Sequence, residues 1–381
     1  MDKLKFAVVG VGRMGSVHAA HLLRGRVKGA ELSAVVDLSE EAQARWEGKV
    51  PTFALYEEMT ERVKPDAVII AVPHYAHLTI ARFFAERGIH ILIEKPVSVT
   101  TAEAEGFNRF LKESKLATKK NPQTAVAVMY NQRTNPVYCA AKKLLDGGAV
   151  GEIRRVNFVV TGWYRSQAYY DQGGWRGTWS GEGGGILINQ CVHQLDILQW
   201  LVGMPDKIFA RAATVGRKIT TENAVTAIFE YKNGAKCTFS ASAHELNGVN
   251  RLEIAGDKGR LVIGETKLTH YFWDKSEPDV NRDTVKGYGS AKKHKRVYRY
   301  GPRRISDLIF GQQLRIVKNF TRHILQGEPL ISPAEEGIRA LSLINGIYLS
   351  AWTGEAVGLP IDGGLYEKLL KDKIKKEQVN V

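Results

Sequence analysis

The chain has 381 residues, of which 44% are hydrophobic, 25% charged and 9% aromatic. These proportions are typical of a globular protein long enough for two domains, and they exclude a disordered, collagen-like or low-complexity chain. The formal net charge is +14, but Lys286–Arg304 alone carries +8 and Lys368–Glu377 another +3. Basic segments suit nucleic acid or an anionic substrate, yet a solvated loop and a frayed terminal helix are the expected forms here, with no nucleic-acid partner.

Neither a membrane anchor nor a disulfide framework is expected. No run of 18 residues is free of charge, and the N-terminal segment lacks the long apolar region of a secretion signal. The three cysteines, Cys139, Cys191 and Cys237, are odd in number and widely spaced. This pattern predicts a cytoplasmic protein without a membrane partner.

Short apolar runs alternate with helical patterns in the first third of the chain. Because such runs are hydrophobic throughout, they predict parallel strands covered by helices on both faces. Ser39 is expected to cap the helix that follows the second strand, with Ala42 as the N3 residue. The predicted strands are Leu4–Val9, Leu32–Val36, Ala67–Val72, His90–Ile93 and Ala125–Met129, and the predicted helices include Ser16–Arg24, His77–Arg87 and Thr101–Ser114.

After about residue 150 the apolar residues recur with period two, which predicts an open antiparallel sheet. Asn233-Gly234 suits a two-residue type I′ hairpin turn. One long helix is expected over 184–201, and two more over 312–325 and 333–352. We therefore predict an α/β domain over 1–123 and an α+β domain over 124–381. The predicted strands are Val156–Val160, Lys207–Ala212, Ala224–Tyr231, Ala235–Ser242, Arg251–Ala255, Arg260–Ile263 and Leu268–Trp273.

The segment VVGVGRMG places Gly10, Gly12 and Gly15 between the first strand and first helix. The first glycine permits a tight turn, the second lets the backbone approach a pyrophosphate, and the third lets the helix pack closely on the strand. Asp37 ends the next strand, where its carboxylate can accept hydrogen bonds from ribose hydroxyls and would repel a 2′-phosphate. This arrangement predicts NAD binding by a Rossmann domain, in preference to NADP.

Several motifs together resemble the glucose–fructose oxidoreductase, inositol dehydrogenase and MocA (Gfo/Idh/MocA) family. They are VVGVGRMG, AVPHYAH, EKP at 94–96, GGGILINQCVHQLD at 183–196 and the segment from GEPLISPAEEG onward. The resemblance spans nearly the whole chain. It implies a Rossmann doubly wound sheet, an open-faced α+β domain that forms homodimers or homotetramers, and hydride transfer between NAD(P) and a sugar or cyclitol carbon.

Lys95 and His193 are the predicted catalytic residues. Lys95 follows a parallel strand at its carboxyl end, where open α/β sheets bind ligands, and the resemblance implies that it contacts the reacting hydroxyl. His193 lies in the predicted helix, and a histidine of near-neutral pKa is a suitable proton acceptor. Asn189, four residues earlier, would share its helix face. The family usually has Asp at this position, so Asn189 is predicted to bind substrate and to take no part in proton transfer.

Aromatic and polar residues of the segment GWYRSQAYYDQGGWRGTW are expected to line a sugar pocket, because aromatic faces stack on pyranose rings. The predicted substrate contacts are Asn189, Tyr130, Trp163, Arg165, Tyr169 and Asp171. The motifs and the resemblance complete the cofactor set, which is Gly10, Gly12, Arg13, Met14, Gly15, Asp37, Ala71, Pro73, His77, Glu94, Lys95, Gln132, Trp175 and Arg176. No metal site is predicted, since no cluster has metal-ligand spacing.

The leading functional hypothesis is an NAD-dependent dehydrogenase that oxidises a secondary hydroxyl of a sugar, sugar derivative or cyclitol. Two alternatives stay open. One is an NAD-dependent glycoside hydrolase of related fold, which would release an aglycone without net NADH. The other is a non-catalytic nucleotide-sensing protein, against which the presence of both Lys95 and His193 argues.

Overall fold

A computed structural model describes residues 3–113, 124–172, 174–301 and 311–379. Its strands are β1 Leu4–Val9, β2 Ala30–Val36, β3 Thr52–Phe53, β4 Ala67–Ile70, β5 His90–Ile93, β6 Val126–Val128, β7 Ile153–Val160, β8 Lys207–Ala213, β9 Ala224–Glu230, β10 Lys236–Ser242, β11 Asn250–Gly256, β12 Gly259–Ile263, β13 Lys267–Trp273, β14 Lys293–Arg299 and β15 Val357–Gly358.

The helices of the same residues include two short 3₁₀ segments, His74–Ala76 and Asn131–Thr134. The α-helices are α1 Arg13–Leu23, α2 Glu40–Ala44, α3 Tyr56–Val63, α4 His77–Ala85, α5 Thr101–Glu113, α6 Pro136–Asp146, α7 Gln167–Tyr170, α8 Ile186–Asn189, α9 Val192–Val202, α10 Glu277–Asp283, α11 Gly311–Gln326, α12 Ala334–Thr353 and α13 Gly363–Val379.

The chain divides into two compact units, and the division is discontinuous in sequence. The first unit is Met1–Thr134 with Arg303–Leu341, and the second is Asn135–Pro302 with Ser342–Val381. The predicted domain boundary between residues 123 and 124 falls at the edge of the described residues, and it stays a prediction.

The first unit contains a six-stranded parallel sheet in the order β3-β2-β1-β4-β5-β6. This is the doubly wound order of dinucleotide-binding folds. Every residue of β4 and β5 is buried, as expected of strands covered on both faces. The Ser39 hydroxyl accepts the Ala42 N–H at 3.3 Å, which confirms the predicted cap. The two-residue strand β3 is too short for a period to reveal it.

The second unit contains a nine-stranded sheet in the order β14-β13-β12-β11-β7-β10-β9-β8-β15. Its pairings are antiparallel, as predicted, except that β10 runs parallel to β7. Buried and exposed residues alternate along β8 and β9, because one face packs inside the unit and the other is open.

The hairpin between β9 and β10 forms, but the predicted type I′ turn is wrong. Gly234 has φ +83°, and its N–H donates to the Tyr231 carbonyl at 2.9 Å. Asn233 does not have the positive φ that a type I′ turn requires. The turn therefore centres on Lys232 and Asn233, with the glycine as the left-handed residue that follows.

Both basic segments contain regular secondary structure. Part of 286–304 forms the edge strand β14, which pairs antiparallel with β13, while residues 302–304 lie outside the described residues. The terminal segment forms α13, and Glu377 in its last turn is buried. The predicted frayed helix is therefore wrong at this position.

Candidate active site

The loop between β1 and α1 forms the tight turn that its glycine spacing predicts. Gly10 has φ +85°, and a Cβ atom there would lie 2.5 Å from the Ala71 carbonyl oxygen. A Cβ atom on Gly15 would lie 1.7 Å from the Gly10 carbonyl oxygen, so only glycine lets α1 approach the turn this closely. Gly12 is exposed, and a Cβ atom on it would meet nothing within 4 Å.

The first turn of α1 suits a pyrophosphate. Gly12 stands at the N-cap position without a side-chain cap, so backbone N–H groups of the first turn remain available to a ligand. Arg13 is exposed and Met14 half-buried in the same turn. Open space and uncapped N–H groups are the features that a dinucleotide phosphate requires.

Asp37 follows β2 beside this loop. Its Oδ2 accepts the Val11 N–H at 2.8 Å and its Oδ1 accepts the Ser39 N–H at 3.0 Å. Each carboxylate oxygen retains a second lone pair, which can accept from a ribose hydroxyl. Sequence reasoning missed Arg45, whose Nη2 donates to the Val11 carbonyl at 3.2 Å and brings a positive charge to the loop. Together these groups fit the adenosine end of NAD.

His77 is buried with both ring nitrogens against backbone carbonyls. Its Nδ1 lies 2.7 Å from the Pro96 oxygen and its Nε2 lies 2.9 Å from the Val72 oxygen. These contacts favour a structural role, which ties the ends of β4 and β5 together, over the predicted direct contact with cofactor. Ala71 is half-buried and Pro73 is exposed at the same edge.

Glu94 anchors the segment that carries Lys95. Its Oε1 lies 2.8 Å from His18 Nε2, and its Oε2 accepts the Lys95 N–H at 3.1 Å. Burial alone would raise the pKa of Glu94, but the hydrogen bond and charge of His18, with the charge of Lys95, lower it overall. Lys95 is half-buried, and the Lys95–Pro96 peptide is cis.

Tyr130 packs inside the first unit. It is fully buried, and its hydroxyl donates to the Gly337 carbonyl at 3.1 Å. Two residues on, Gln132 is half-buried, and Arg133 pairs with Glu336 at 2.5 Å. The predicted substrate contact of Tyr130 is therefore not favoured, because its polar atom is already engaged in the interior.

In the second unit, the predicted long helix over 184–201 is interrupted. α8 ends at Asn189 and α9 begins at Val192, and the Cys191 N–H donates to the Ile186 carbonyl five residues back at 2.8 Å. This wider turn resembles a π-type closure, which is frequent at functional sites. Asn189 and His193 therefore lie on separate helices, and the argument that they share one helix face is wrong. His193 is half-buried in the first turn of α9.

A buried glutamate orients Asn189. The Asn189 Nδ2 donates to Glu182 Oε1, and the other carboxylate oxygen of Glu182 accepts the Gly177 N–H at 2.8 Å. The same Nδ2 lies 3.4 Å from the Tyr169 hydroxyl. Sequence reasoning missed Glu182, since a glutamate before three glycines carries no pattern that would reveal this contact.

The predicted sugar-binding residues Trp163 and Arg165 gather around Tyr169, together with Trp175 and Arg176, which were predicted to contact the cofactor. The guanidinium groups of Arg165 and Arg176 each lie 4.8 Å from the Tyr169 ring centroid. Arg165 also lies 5.6 Å from the Trp163 ring, and Arg176 lies 4.5 Å from the Trp175 ring. We call these five residues the Tyr169 cluster.

Asp171, the remaining predicted substrate contact of this segment, is not part of the Tyr169 cluster. It is exposed, and its Oδ1 accepts from the Gln167 side chain at 2.8 Å. Asp196, on α9, is buried and accepts from Gln199 at 2.9 Å, which agrees with a structural role.

Glu222, a second missed carboxylate, caps α8. It is buried and accepts hydrogen bonds from the N–H groups of Gly185 and Leu187, at 3.1 and 3.0 Å, and from the Tyr348 hydroxyl at 2.9 Å. Burial raises its pKa to about 7, and the hydrogen bonds offset this only in part.

Glu377, a third missed carboxylate, fixes the loop that precedes the glycines. It accepts from the N–H groups of Trp179 and Ser180 at 2.8 and 2.9 Å, and from the Thr220 hydroxyl. Burial alone would raise its pKa, but the hydrogen bonds from Ser180 and Thr220 lower it overall. The C-terminal helix is thus part of the support of this loop.

Two kinds of feature are absent from the described ranges, a metal-ligand cluster and a membrane-spanning helix. Among those residues, no three side chains of His, Cys, Asp or Glu come together as metal ligands would. No helix in that part of the chain is both long and apolar enough to cross a membrane.

Comparison with known families matches two parts of the chain. Residues 4–119 match the oxidoreductase family with an NAD-binding Rossmann fold, and residues 138–262 match the GFO/IDH/MocA C-terminal domain.

Individual proteins agree with this assignment. The chain is 30% identical to the scyllo-inositol 2-dehydrogenase (NAD(+)) of Bacillus subtilis over 283 residues, which cover 70% of this chain and 76% of that protein. It is 22% identical to the myo-inositol 2-dehydrogenase of Thermotoga maritima, over 89% of this chain and 94% of that one. The structure of a levoglucosan dehydrogenase with NADH and levoglucosan has the same fold, with a TM-score of 0.77, 20% identity and coverage of 94% and 100%.

The motifs, the strand order and these matches agree along both compact units. The chain belongs to the Gfo/Idh/MocA family of NAD-binding oxidoreductases.

Proposed function

We propose that this protein is an NAD-dependent dehydrogenase that oxidises a secondary hydroxyl of a sugar, sugar derivative or cyclitol. The observation that carries the proposal is the loop between β1 and α1. There, a Cβ atom on Gly12 would contact nothing within 4 Å, and the Asp37 carboxylate accepts the N–H of the neighbouring Val11. The names of its relatives, two inositol dehydrogenases and a levoglucosan dehydrogenase, support the substrate class.

Two side chains are assigned to proton handling. When bound, NAD supplies the acceptor for the hydride that leaves the carbinol carbon. His193 takes the proton of the substrate hydroxyl, as suits a half-buried imidazole. Lys95 donates a hydrogen bond to the same oxygen, and the bond between its N–H and Glu94 fixes the direction of its backbone.

The test is NADH formation against a panel of pyranoses, inositols, sugar acids and sugar phosphates. We expect at least one compound of the panel to yield NADH in an amount stoichiometric with its oxidation. We expect the rate of this reaction not to depend on added metal. Release of an aglycone from glycosides without net NADH would assign the protein to the glycoside hydrolases instead. Binding of NAD with no turnover of any compound would favour a nucleotide sensor.

The remaining proposals concern assembly and location. The open face of the nine-stranded sheet exposes Phe209, Ile228 and Val297, apolar residues that a second copy of the chain would cover. This supports a homodimer or homotetramer formed through a domain over 124–381. The widely spaced cysteines support a cytoplasmic location.

A further inference from the structure

The hydroxyl of Tyr169 is surrounded by hydrogen-bond donors. Its oxygen lies 2.9 Å from Arg176 Nη1, 3.2 Å from Gln190 Nε2 and 3.4 Å from Asn189 Nδ2, three donor groups for its two lone pairs. A phenol oxygen has two lone pairs and one hydrogen of its own to donate. Because all three neighbours are N–H groups, none of them accepts that hydrogen. The Tyr169 hydroxyl is therefore poised to donate to an acceptor supplied by a ligand.

Arg165 has the same surplus of donors. Its Nη1 donates to the neighbouring Tyr164 carbonyl at 2.9 Å, and its Nε is buried with no partner among the described residues. A guanidinium has five N–H donors, so most of its hydrogen-bonding capacity is unused. The residue is nevertheless held in place, because its N–H donates to the Ala243 carbonyl and its carbonyl accepts from Arg217, both at 2.8 Å.

The two guanidinium groups of the Tyr169 cluster are not directly paired with a carboxylate among the described residues. Among the described residues, neither Arg165 nor Arg176 forms an ion pair. Asp171 accepts from Gln167, and the carboxylate of Glu182, which borders the cluster through Asn189, accepts from Gly177 and Asn189 and forms no ion pair with either arginine.

The open sheet of the same unit shows the contrast. There, the single carboxylate of Glu253 lies within 4 Å of three arginines, Arg155, Arg251 and Arg260. A guanidinium without a carboxylate partner keeps its charge and its N–H donors available, and an oxyanion is the ligand that matches both.

We propose that the Tyr169 cluster binds an oxyanion of the substrate, a carboxylate or phosphate group on the sugar or cyclitol, with Arg165 and the Tyr169 hydroxyl as its direct donors. Arg176 is a positioning residue that holds the phenol. Trp163, beneath Arg165, offers an aromatic face to the sugar ring. This inference rests on the proposed dehydrogenase function only in taking the oxyanion to be part of that enzyme's substrate.

The test measures binding to the full-length protein saturated with NADH. Four probes are titrated by calorimetry at low and high salt: D-glucuronate, its neutral methyl ester, glucose 6-phosphate and glucose. We expect an acidic probe to bind at least about tenfold more tightly than its neutral partner. This ratio corresponds to about 1.4 kcal/mol, close to the lower limit for one charge-assisted hydrogen bond. Preference for glucuronate identifies a carboxylate, and preference for glucose 6-phosphate identifies a phosphate.

Variants test whether the preference for acidic probes depends on Arg165. Arg165→Gln is expected to abolish it with unchanged NADH affinity, and Arg165→Lys to retain part of it, because the charge remains and the planar fork is lost. Arg154→Gln is the matched control, since Arg154 is half-exposed and pairs with Glu152 in the same unit. Equal binding of acid and ester, binding of neither, or a preference that survives in Arg165→Gln overturns the proposal. NADH formation with neutral sugars alone would uphold the dehydrogenase and overturn only the oxyanion site.

Discussion

Asp37 is expected to decide between the two nicotinamide cofactors, because its carboxylate would lie where NADP carries a 2′-phosphate. Replacing Asp37 by Ser and the exposed Leu38 by Arg removes one negative charge and adds one positive charge at the same place. The double variant should narrow or invert the ratio of NAD to NADP affinity, with Arg45 already nearby to assist. Fluorescence titration with NADH and NADPH measures the ratio.

The control is Glu47→Ser, which removes an exposed acid from the same unit and should leave the ratio unchanged. A wild-type protein that binds NADP tenfold or more tightly than NAD would show that the role given to Asp37 is wrong.

The hydrogen bond between Asn189 and Glu182 predicts that a double variant with donor and acceptor exchanged recovers the activity that each single variant loses. Asn189→Asp places two carboxylates in contact, and Glu182→Gln leaves the Asn189 amide without its charged acceptor. Each single change should lower kcat/KM by about tenfold or more, as expected for a damaged buried hydrogen bond. The double variant restores one donor and one acceptor, so its kcat/KM should recover most of the loss.

If the Asn189 side chain had only a structural role, Asn189→Asp would not change the dependence of the rate on pH. Asn189→Asp should introduce a new ionisation into the rate profile, since one of two adjacent carboxyl groups has a raised pKa. Thermal unfolding and NADH affinity, measured in parallel, separate this effect from misfolding. Losses that simply add in the double variant would contradict the proposed orientation of the amide.

For single residues, the sequence predicted the turn geometry where it depends on neighbouring residues alone. Gly10, Gly12 and Gly15 act within one turn, so their spacing reveals them. Glu222 and Glu377 acquire their roles from partners far away in the chain, and Glu182 contacts Gly177 and Asn189 at spacings that match no helix or strand period. Glu377, for example, contacts Trp179 across 198 positions, and no spacing rule reaches that far.

The buried carboxylate of Glu222 at the N-terminus of α8 should make the free energy of unfolding depend on pH. Glu222 is fully buried there, and its pKa is about 7 against an ordinary value of 4.5. A raised carboxyl pKa means that the folded protein keeps a proton which the unfolded chain releases, so stability should fall as pH rises from about 4.5 to 7. The shift corresponds to about 3 kcal/mol at most. Tyr348, Tyr170 and Cys191, the other titratable groups nearby, have raised pKa values and stay neutral in this interval.

Glu222→Gln should flatten this dependence, because glutamine has no proton to release. Urea unfolding at a series of pH values measures it, with Glu245→Gln as the control, an exposed glutamate that accepts from Ser242 in the same unit. Parallel stability curves for wild type and Glu222→Gln would show that Glu222 does not titrate between these pH values.

Element boundaries were less predictable than elements. Continuous apolar runs revealed β1, β2, β4 and β5, because most residues of these strands are buried on both faces of the sheet. The interruption between α8 and α9 was missed because residues 186–202 are mostly apolar and their pattern is compatible with one continuous helix. The break is visible in the hydrogen bond from the Cys191 N–H to the Ile186 carbonyl. Similarly, the parallel pairing of β7 with β10 depends on chain connectivity and leaves no mark on either strand's own pattern.

For the whole molecule, the open sheet face predicts self-association. Ile228 and Phe209 stand on adjacent strands of this face and are 42% and 39% exposed. Burying a charge in an apolar contact is costly, so Ile228→Asp should reduce the molar mass measured by light scattering after size exclusion. Leu246→Asp is the control, because Leu246 is more exposed, at 75%, and lies outside the strands. A wild-type protein that is monomeric at all concentrations would contradict the proposed assembly.

The discontinuous first unit could not be predicted from sequence. Helical periodicity correctly indicates α11, but it does not tell which core the helix joins. That choice depends on contacts such as Phe320 against Phe6, with ring centroids 6.3 Å apart. Residues 303–341 therefore return to the unit built by the first 134, although they follow most of the second sheet in the chain.

The most direct test of the central claim is the turnover of Lys95→Ala and His193→Ala with a substrate identified in the panel, alongside their NAD affinity. The proposed pyrophosphate and ribose contacts are at Gly12 and Asp37, so NAD affinity should stay close to wild type in both variants. Turnover should fall by about 10²–10⁴-fold in each, the usual contribution of a positioned acid or base, and the ionisation near neutral pH should vanish from the profile of His193→Ala. Near wild-type turnover with an unaltered pH profile in His193→Ala would contradict its assignment as the base, and unchanged turnover in both variants would contradict the proposed chemistry as a whole.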